Sequence, residues 1–171
     1  MELDAQPVGR RQKMIRESGV LDYLIDIIYY PFKNKFYNLQ SLNSSLLITR
    51  ILGYTYTTIR HGIAEYRSNE LYASQWLSLI LDHAMKTRGY NDIKAGATLT
   101  ELIDNNKKIL ENRISCDIIE RFIEFLRVWD KDSKYITILR AITICDGHPM
   151  THNQKLLSEF ILIDKRTRDD L

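Results

Sequence analysis

The stretch IIERFIEFLRVW, residues 118–129, decides the fold class. Its apolar residues recur at intervals of three and four, and this spacing places them on one face of an α-helix. The members of that face are Ile118, Ile119, Phe122, Ile123, Leu126 and Trp129. The other face carries glutamate and arginine, so the stretch predicts an amphipathic helix that buries one side against its neighbours.

The same spacing recurs on both sides of this helix. Toward the N-terminus it predicts a short helix from Pro7 to Ser18, which Gly19 ends, and a second helix from Val20 that Pro31 stops. Further helices are predicted around residues 47–62, 72–84, 98–110, 135–142 and 156–161. The chain has only 7 Gly and 3 Pro, too few for the frequent turns of a β-sandwich. The sequence therefore predicts an all-α fold.

Two local signals set helix boundaries within this pattern. Thr98 is followed three residues later by Glu101, a capping-box spacing that predicts a helix start at Thr98. Gly147 and Pro149 interrupt the apolar periodicity, so we expect the last helix to begin after them.

A weak internal repeat runs through the chain. One pattern occurs three times: a basic and aliphatic helix end, then a turn, then a core helix. Its instances open with Gln12–Ile15, Lys107–Leu110 and Gln154–Leu157, and the third begins 47 residues after the second. Armadillo and HEAT units have periods of about 40–47 residues. We therefore predict an armadillo/HEAT-like superhelix of about seven or eight helices, whose stacked pairs form a concave binding surface.

The length of 171 residues fits one domain. We predict a single armadillo-like domain over residues 1–171, with its core at about residues 7–163 and a charged tail at residues 164–171. No apolar run is long enough to span a bilayer and no signal peptide is evident, so we expect a soluble domain that faces the cytosol. The net charge of +2 is too small to indicate nucleic-acid binding.

The sequence contains no recognisable catalytic or metal-binding motif. His148 and His152 are four residues apart, but Pro149 lies between them and makes a helical metal-binding pair improbable on spacing alone. Cys116 and Cys145 lie beside aliphatic residues and are predicted to be buried free thiols. His61 and His83 are predicted at the surface or at helix ends. We therefore predict no enzyme activity, no metal and no cofactor.

Two clusters of cations stand out. Arg10, Arg11, Lys13 and Arg16 crowd the first predicted helix, and by pattern alone a solvated basic face is favoured over a phosphate site. The second cluster joins Arg60–His61 to Tyr66–Arg67, and in isolation it too is better explained as surface residues at a helix junction. A polyanion site needs both clusters to converge in space.

Four motifs carry a family resemblance. They are RQKMIRE at residues 11–17, YPF at 30–32, Arg60–His61 with EYRSN at 65–69, and LTELIDNNKKILE at 99–111. Together they resemble the ryanodine and inositol trisphosphate receptor homology domain, over roughly residues 10 to 162. The match to inositol trisphosphate receptors is closer than the match to ryanodine receptors, and the region around NNKKILE is the most specific.

The resemblance implies the helical half of a ligand-binding core. In inositol trisphosphate receptors this half faces a β-trefoil domain, absent from this chain, and the ligand's phosphates bind in the cleft between them. Carried over position by position, the phosphate-binding residues are Lys13, Arg16, Tyr66 and Arg67, with Arg10 as an auxiliary cation. The implied partners are inositol trisphosphate and other domains of a homotetrameric calcium channel, on the cytosolic face of the endoplasmic reticulum or a related calcium store.

Two positions depart from the family pattern. Gly9 stands where the family has an arginine, and Ser68 stands where it has a lysine. Each lost charge-assisted bond weakens binding by about 1.5–3 kcal/mol, or about one to two decades of affinity. These departures leave an alternative open, in which the domain is a scaffold that binds other proteins or transmits motion within such a channel and binds no ligand.

Overall fold

The computed structural model describes residues 9–33, 46–87, 93–128 and 133–163. The prediction of an all-α fold is confirmed for these residues. The helices are α1 Gly9–Glu17, α2 Val20–Lys33, α3 Leu46–Ile63, α4 Arg67–Ala73, α5 Leu77–Lys86, α6 Ala95–Ile103, α7 Lys107–Asn112, α8 Cys116–Val128, α9 Ser133–Thr143 and α10 Thr151–Ile163. Between α9 and α10, strands β1 Ile144–Cys145 and β2 His148–Pro149 pair antiparallel, so the chain breaks near Gly147 as predicted.

The chain forms two compact units, residues 1–102 and residues 103–171. Each unit has its own buried apolar residues. The prediction of one armadillo-like domain and the arrangement of the helices as a repeat superhelix both stay predictions. The predicted charged tail at 164–171, the predicted start of the first helix at Pro7 and the outer position Trp129 lie outside the described residues.

The prediction that Pro31 stops the second helix is wrong, because α2 continues to Lys33. A proline within a helix removes one backbone hydrogen bond and crowds the preceding turn. Here it lies in the last turn, where little helix remains to be disrupted. The next residue, Phe32, packs edge-on against the ring of His83 with 5.0 Å between ring centroids, and this contact favours keeping the last turn helical.

The predicted helix over residues 98–110 is divided in two. Helix α6 begins at Ala95, so Thr98 is an interior residue whose hydroxyl donates to the carbonyls of Lys94 and Tyr56. Asn105 then adopts a left-handed backbone conformation with φ 50°, which ends the first helical segment. The Asn106 side chain accepts a hydrogen bond from the Ile109 amide and caps α7. Local capping chemistry thus prevailed over a continuous apolar stripe.

The core of the first unit lies between α2, α3 and α5. Its fully buried side chains include Leu21, Ile28, Leu52, Ile59 and Ile80. In the second unit, residues of α8 such as Phe122 are buried, which agrees with the stripe that the sequence predicts. Cys145 is buried but Cys116 is exposed, so the prediction of two buried thiols is wrong for Cys116, which opens α8 on its outer side. No helix of the described part of the chain is long and apolar enough to cross a membrane.

His83 lies in the last turn of α5, one of the two positions that the sequence predicts, but it is not at the surface. It is 1% exposed, and its Nδ1 atom lies 2.8 Å from the Tyr56 hydroxyl. Its burial was not predicted because the partner hydroxyl comes from a residue 27 positions earlier in the chain. Burial lowers the pKa of His83 to about 4, and Lys86 contributes in the same direction while Asp82 opposes it.

The buried imidazole predicts a pH-dependent stability. Because the pKa of His83 is lower in the folded chain than in the unfolded chain, the unfolded state binds more protons between pH 6.5 and 4. The contribution of neutral His83 to the free energy of unfolding is therefore fully present above pH 6.5. It falls by up to about 3 kcal/mol as the pH drops to 4. Urea denaturation midpoints across this range check the prediction. The pH dependence should be smaller in His83→Gln and unchanged in His61→Gln, since His61 is exposed; equal slopes in all three proteins would contradict it.

Candidate anion-binding site

Helix α1 is anchored to the end of α3 by one buried side chain, Gln12. Its Nε2 atom donates to the carbonyl of His61 at 3.1 Å and to the carbonyl of Ala64 at 2.7 Å. The last carbonyls of a helix lack partners within the helix and carry the negative end of its dipole. The Gln12 amide satisfies two of these carbonyls, and it does so from the helix that bears Lys13 and Arg16.

A second buried amide, Asn69 in α4, completes the junction. Its Nδ2 atom donates to the Gln12 carbonyl at 2.7 Å and to the Gly62 carbonyl at 2.8 Å. The two side chains thus cross-link α1, the end of α3 and the start of α4, and we call Gln12 and Asn69 together the amide latch. Asn69 is 0% exposed, so its hydrogen bonds are made where water does not compete.

The start of α1 also lies directly against the Tyr66 ring. A β-carbon built on Gly9 would be 3.6 Å from two carbons of that ring, an ordinary van der Waals distance. Tyr66 is half-buried and immediately precedes α4. The structure therefore brings the backbone of the basic helix and the Tyr66–Arg67 corner into one packed junction.

The Arg67 guanidinium is held at that corner by a carboxylate. Its Nη1 atom is 2.9 Å from Oε2 of Glu70, one helical turn further on. The Glu70 side chain is 2% exposed, whereas that of Arg67 is 54% exposed. A buried carboxylate needs compensation by hydrogen bonds or an opposite charge. The bond from Arg67 supplies such compensation, and it fixes the Nη1 end of a side chain that is otherwise partly exposed.

Two cations of α1, Lys13 and Arg16, contact an exposed carboxylate, with side-chain exposures of 55% and 25%. Lys13 Nζ is 3.6 Å from a Glu17 carboxylate oxygen, and Arg16 Nη2 is 3.9 Å from the same oxygen. Arg16 is the more buried of the two and also acts on Tyr72, whose hydroxyl donates to Asp22 at 2.8 Å. That hydrogen bond raises the pKa of Tyr72, with burial and the Asp22 charge adding to it, while Gln75 and Arg16 lower it.

The remaining predicted residue, Arg10, is exposed on the outer side of α1. It does not take part in the latch or in the contact with Tyr66. Arg60 and His61 end α3, and the part of His61 that enters the junction is its backbone carbonyl. No group of three His, Cys, Asp or Glu side chains in the described residues is placed to hold a metal ion.

Sequence reasoning missed three residues of this junction: Gln12, Asn69 and Glu70. Gln12 and Asn69 lie inside the RQKMIRE and EYRSN motifs, next to the cations that drew attention. Their positions within specific motifs were the available signal, but three of their four acceptor carbonyls are 49 to 57 residues away. Such bonds have no periodicity in the sequence.

Comparison with known protein families shows the family of the chain. The sequence profile described as RYDR_ITPR, RIH domain, matches residues 1–170. The chain belongs to the RIH domain family. The resemblance seen in the motifs is therefore confirmed at the level of the family.

Two curated relatives give this RIH domain its context. It is 25% identical over 173 residues to the inositol 1,4,5-trisphosphate receptor itr-1 of Caenorhabditis elegans, an alignment that covers 95% of the chain and 6% of the relative. It is 23% identical over 165 residues to the inositol 1,4,5-trisphosphate receptor-like protein A of Dictyostelium discoideum, covering 95% of the chain and 5% of the relative. The chain thus spans a small part of both relatives. Their names describe receptors, in agreement with the prediction that this RIH domain is not an enzyme.

The Arg67–Glu70 pair generates a prediction about stability. In Arg67→Met the buried Glu70 carboxylate loses its nearest counter-charge, so we expect the free energy of unfolding to fall by about 1–2 kcal/mol. Arg67→Met/Glu70→Gln should recover most of the loss, because a neutral amide needs no counter-charge. Urea denaturation at pH 7 measures both effects.

The exposed pair of Lys86 and Asp82, 2.6 Å apart, supplies the control. Lys86→Met should change stability by less than about 1 kcal/mol. Equal effects of Arg67→Met and Lys86→Met would contradict the assignment of Glu70 as a buried carboxylate that depends on Arg67.

Proposed function

We propose that this RIH domain is a ligand-recognition module of an intracellular, inositol trisphosphate-gated calcium-release channel. It contributes one basic wall of a phosphate-binding cleft, through Lys13, Arg16, Tyr66 and Arg67 with Arg10 as an auxiliary cation. The opposite wall belongs to a β-trefoil domain of the parent channel. The parent is a homotetramer in which this domain lies on the cytosolic side of a calcium-store membrane.

The packed junction of α1 with the Tyr66–Arg67 corner is the observation that carries this proposal. A polyanion site needs cations from both segments within reach of one ligand. The amide latch and the contact of Gly9 with Tyr66 join the two segments, although they are more than 50 residues apart in the chain. Both relatives are named as inositol trisphosphate receptors or receptor-like proteins. Their names suggest inositol trisphosphate as the ligand.

The exposure of the cations suits recognition of a phosphorylated ligand. Guanidinium groups make paired, charge-assisted hydrogen bonds to phosphate oxygens, and lysine adds a mobile point charge. Glu17, which neutralises Lys13 and Arg16 in the free domain, is itself solvent-exposed. Exposed ion pairs contribute about 0–1 kcal/mol, so a phosphate group with higher charge can replace the Glu17 carboxylate. No bond of the ligand is made or broken in this role.

A test in the parent channel removes two of the four cations of α1. We expect Lys13→Gln/Arg16→Gln to abolish calcium release triggered by inositol trisphosphate, because these positions contribute two charge-assisted contacts. Release is measured from permeabilised cells that express the full-length parent. The denaturation midpoint of the domain should be unchanged, since both side chains face solvent at least in part.

The second unit offers a matched control. Lys107 and Lys108 are exposed cations at the start of α7, and Lys107 pairs with Glu111 at 3.7 Å, as Lys13 pairs with Glu17. Lys107→Gln/Lys108→Gln removes the same charge from another surface and should leave calcium release intact. A normal ligand response in the Lys13/Arg16 variant would refute the proposal.

The isolated chain offers only one of the two proposed walls of the cleft, and this limits its affinity for inositol trisphosphate. We expect inositol trisphosphate to bind the 171 residues alone with an affinity weaker than micromolar, because a ligand held on one side keeps much of its hydration and mobility. Titration calorimetry checks this value. Submicromolar affinity would show that the domain needs no partner wall.

Restoring the family's cations should strengthen binding. A side chain at Gly9 has room beside Tyr66, and Ser68 is exposed next to Arg67. We expect Gly9→Arg and Ser68→Lys each to raise the affinity by about one to two decades. Gly53→Arg is the control, because it adds the same charge to α3 roughly 14 Å along the helix from Gly62. An equal gain in this control would indicate nonspecific attraction.

A further inference from the structure

The amide latch separates two roles at the junction. Neither Gln12 nor Asn69 carries a charge, and both are buried, so neither is exposed to a ligand in solution. Their side chains donate four hydrogen bonds, and the acceptors are backbone carbonyls of α1 or of the end of α3. Gln12 and Asn69 therefore position the helices, whereas in the proposed function the cations contact the anion.

The geometry of the latch leaves little freedom between the two halves of the site. Asn69 lies in α4, two residues after Arg67, and it bonds to the carbonyl of the residue directly before Lys13. Gln12 bonds in the opposite direction, from α1 to the last carbonyls of α3 just before Tyr66. Reciprocal bonds of this kind restrain both sliding and rotation of α1 against the corner.

We propose that Gln12 and Asn69 are positioning residues, which set the spacing between the α1 cations and the Tyr66–Arg67 corner and thereby determine the affinity for multiply phosphorylated ligands. This inference rests on the proposed function. A ligand with several phosphates gains from two segments only if they are already held in place, since otherwise binding must also order α1. Loosening the latch should therefore weaken binding without removing any cation.

The second unit contains an asparagine that resembles Asn69 but is not preceded by a Tyr–Arg pair. Asn153 is 0% exposed, and its Nδ2 atom donates to the carbonyls of Leu110 and Ile142 at 3.1 and 3.0 Å. Asn69 and Asn153 are each the third residue of their helix, and each has a buried Oδ1 atom without a partner. Tyr66 and Arg67 lie three and two residues before Asn69. At the same positions before Asn153 are Met150 and Thr151.

Asn69→Ala and Asn153→Ala are therefore matched variants. Both remove a buried amide that bridges two helices, so both should lower the denaturation midpoint of the 171-residue chain. Only Asn69→Ala should weaken the binding of inositol 1,4,5-trisphosphate, by about tenfold or more. Titrations at low ionic strength, followed by NMR shifts of the α1 and α4 backbone amides, report dissociation constants in the millimolar range from the folded protein alone.

Gln12→Met provides a second variant if Asn69→Ala does not fold. Methionine keeps the length and volume of glutamine but removes both donors to α3. We expect a similar loss of affinity together with faster hydrogen exchange of the α1 amides, and neither change in Asn153→Ala. Lys13→Gln, by comparison, should weaken binding while leaving the exchange of α1 amides unchanged.

The outcomes distinguish this inference from the function on which it rests. Unchanged affinity in Asn69→Ala and Gln12→Met, with the wild-type chain binding, overturns the positioning role and leaves the proposed function intact. If inositol 1,4,5-trisphosphate causes no NMR shift in the wild-type chain, both the proposed function and the positioning role are overturned. Unchanged exchange of the α1 amides in Gln12→Met shows, without any ligand, that the latch does not hold α1 and also overturns the inference.

Discussion

The amide of Asn69 and the carbonyls of Gln12 and Gly62 form the contact on which the arrangement of the first unit depends. A side-chain amide nitrogen has two hydrogens, and here each has a carbonyl acceptor from a different helix. Because the group is buried, an unmade bond there carries the full penalty of desolvation. Helix α1 therefore docks with one face inward, that of Gly9, Gln12, Ile15 and Arg16, while Arg10, Arg11, Lys13 and Met14 are exposed. The outward placement of Arg10 and Lys13 is a consequence of this docking.

The asparagine contact recurs at Asn153 in the second unit. Of the amide latch, the asparagine bonds are therefore common to both units. In both places an asparagine in the first turn of a helix ties the end of the preceding helix to an earlier short helix. Residues immediately before the asparagine vary in chemistry, from Tyr66–Arg67 to Met150–Thr151, while the bond pattern is retained. The asparagine contact therefore does not require the preceding Tyr–Arg pair.

The features that sequence alone predicted are those with local causes. The all-α class followed from apolar spacing, and Ile118, Ile119 and Phe122 are buried as the pattern of α8 requires. Helix ends were less predictable, because Pro31 is tolerated in a last turn and Asn105 divides a continuous stripe. The burial of His83, Gln12 and Asn69 could not be predicted, since each depends on an acceptor or ring contributed by another helix. The resemblance identified the right motifs, but it pointed to their charges and passed over their amides.

The two carboxylates of the junction divide the cations into two kinds. Glu70 is buried and accepts a hydrogen bond from Arg67 at 2.9 Å, and a buried carboxylate is not readily replaced by an anion from solvent. Glu17 is exposed and interacts with Lys13 and Arg16 at longer distances, so it exchanges readily with another anion. Arg67 is thus held in one orientation, whereas Lys13 and Arg16 make longer contacts to an exposed carboxylate. In the proposed binding role, a fixed guanidinium beside adaptable cations suits a ligand with one fixed phosphate contact and others that adjust, and the latch holds the two segments together.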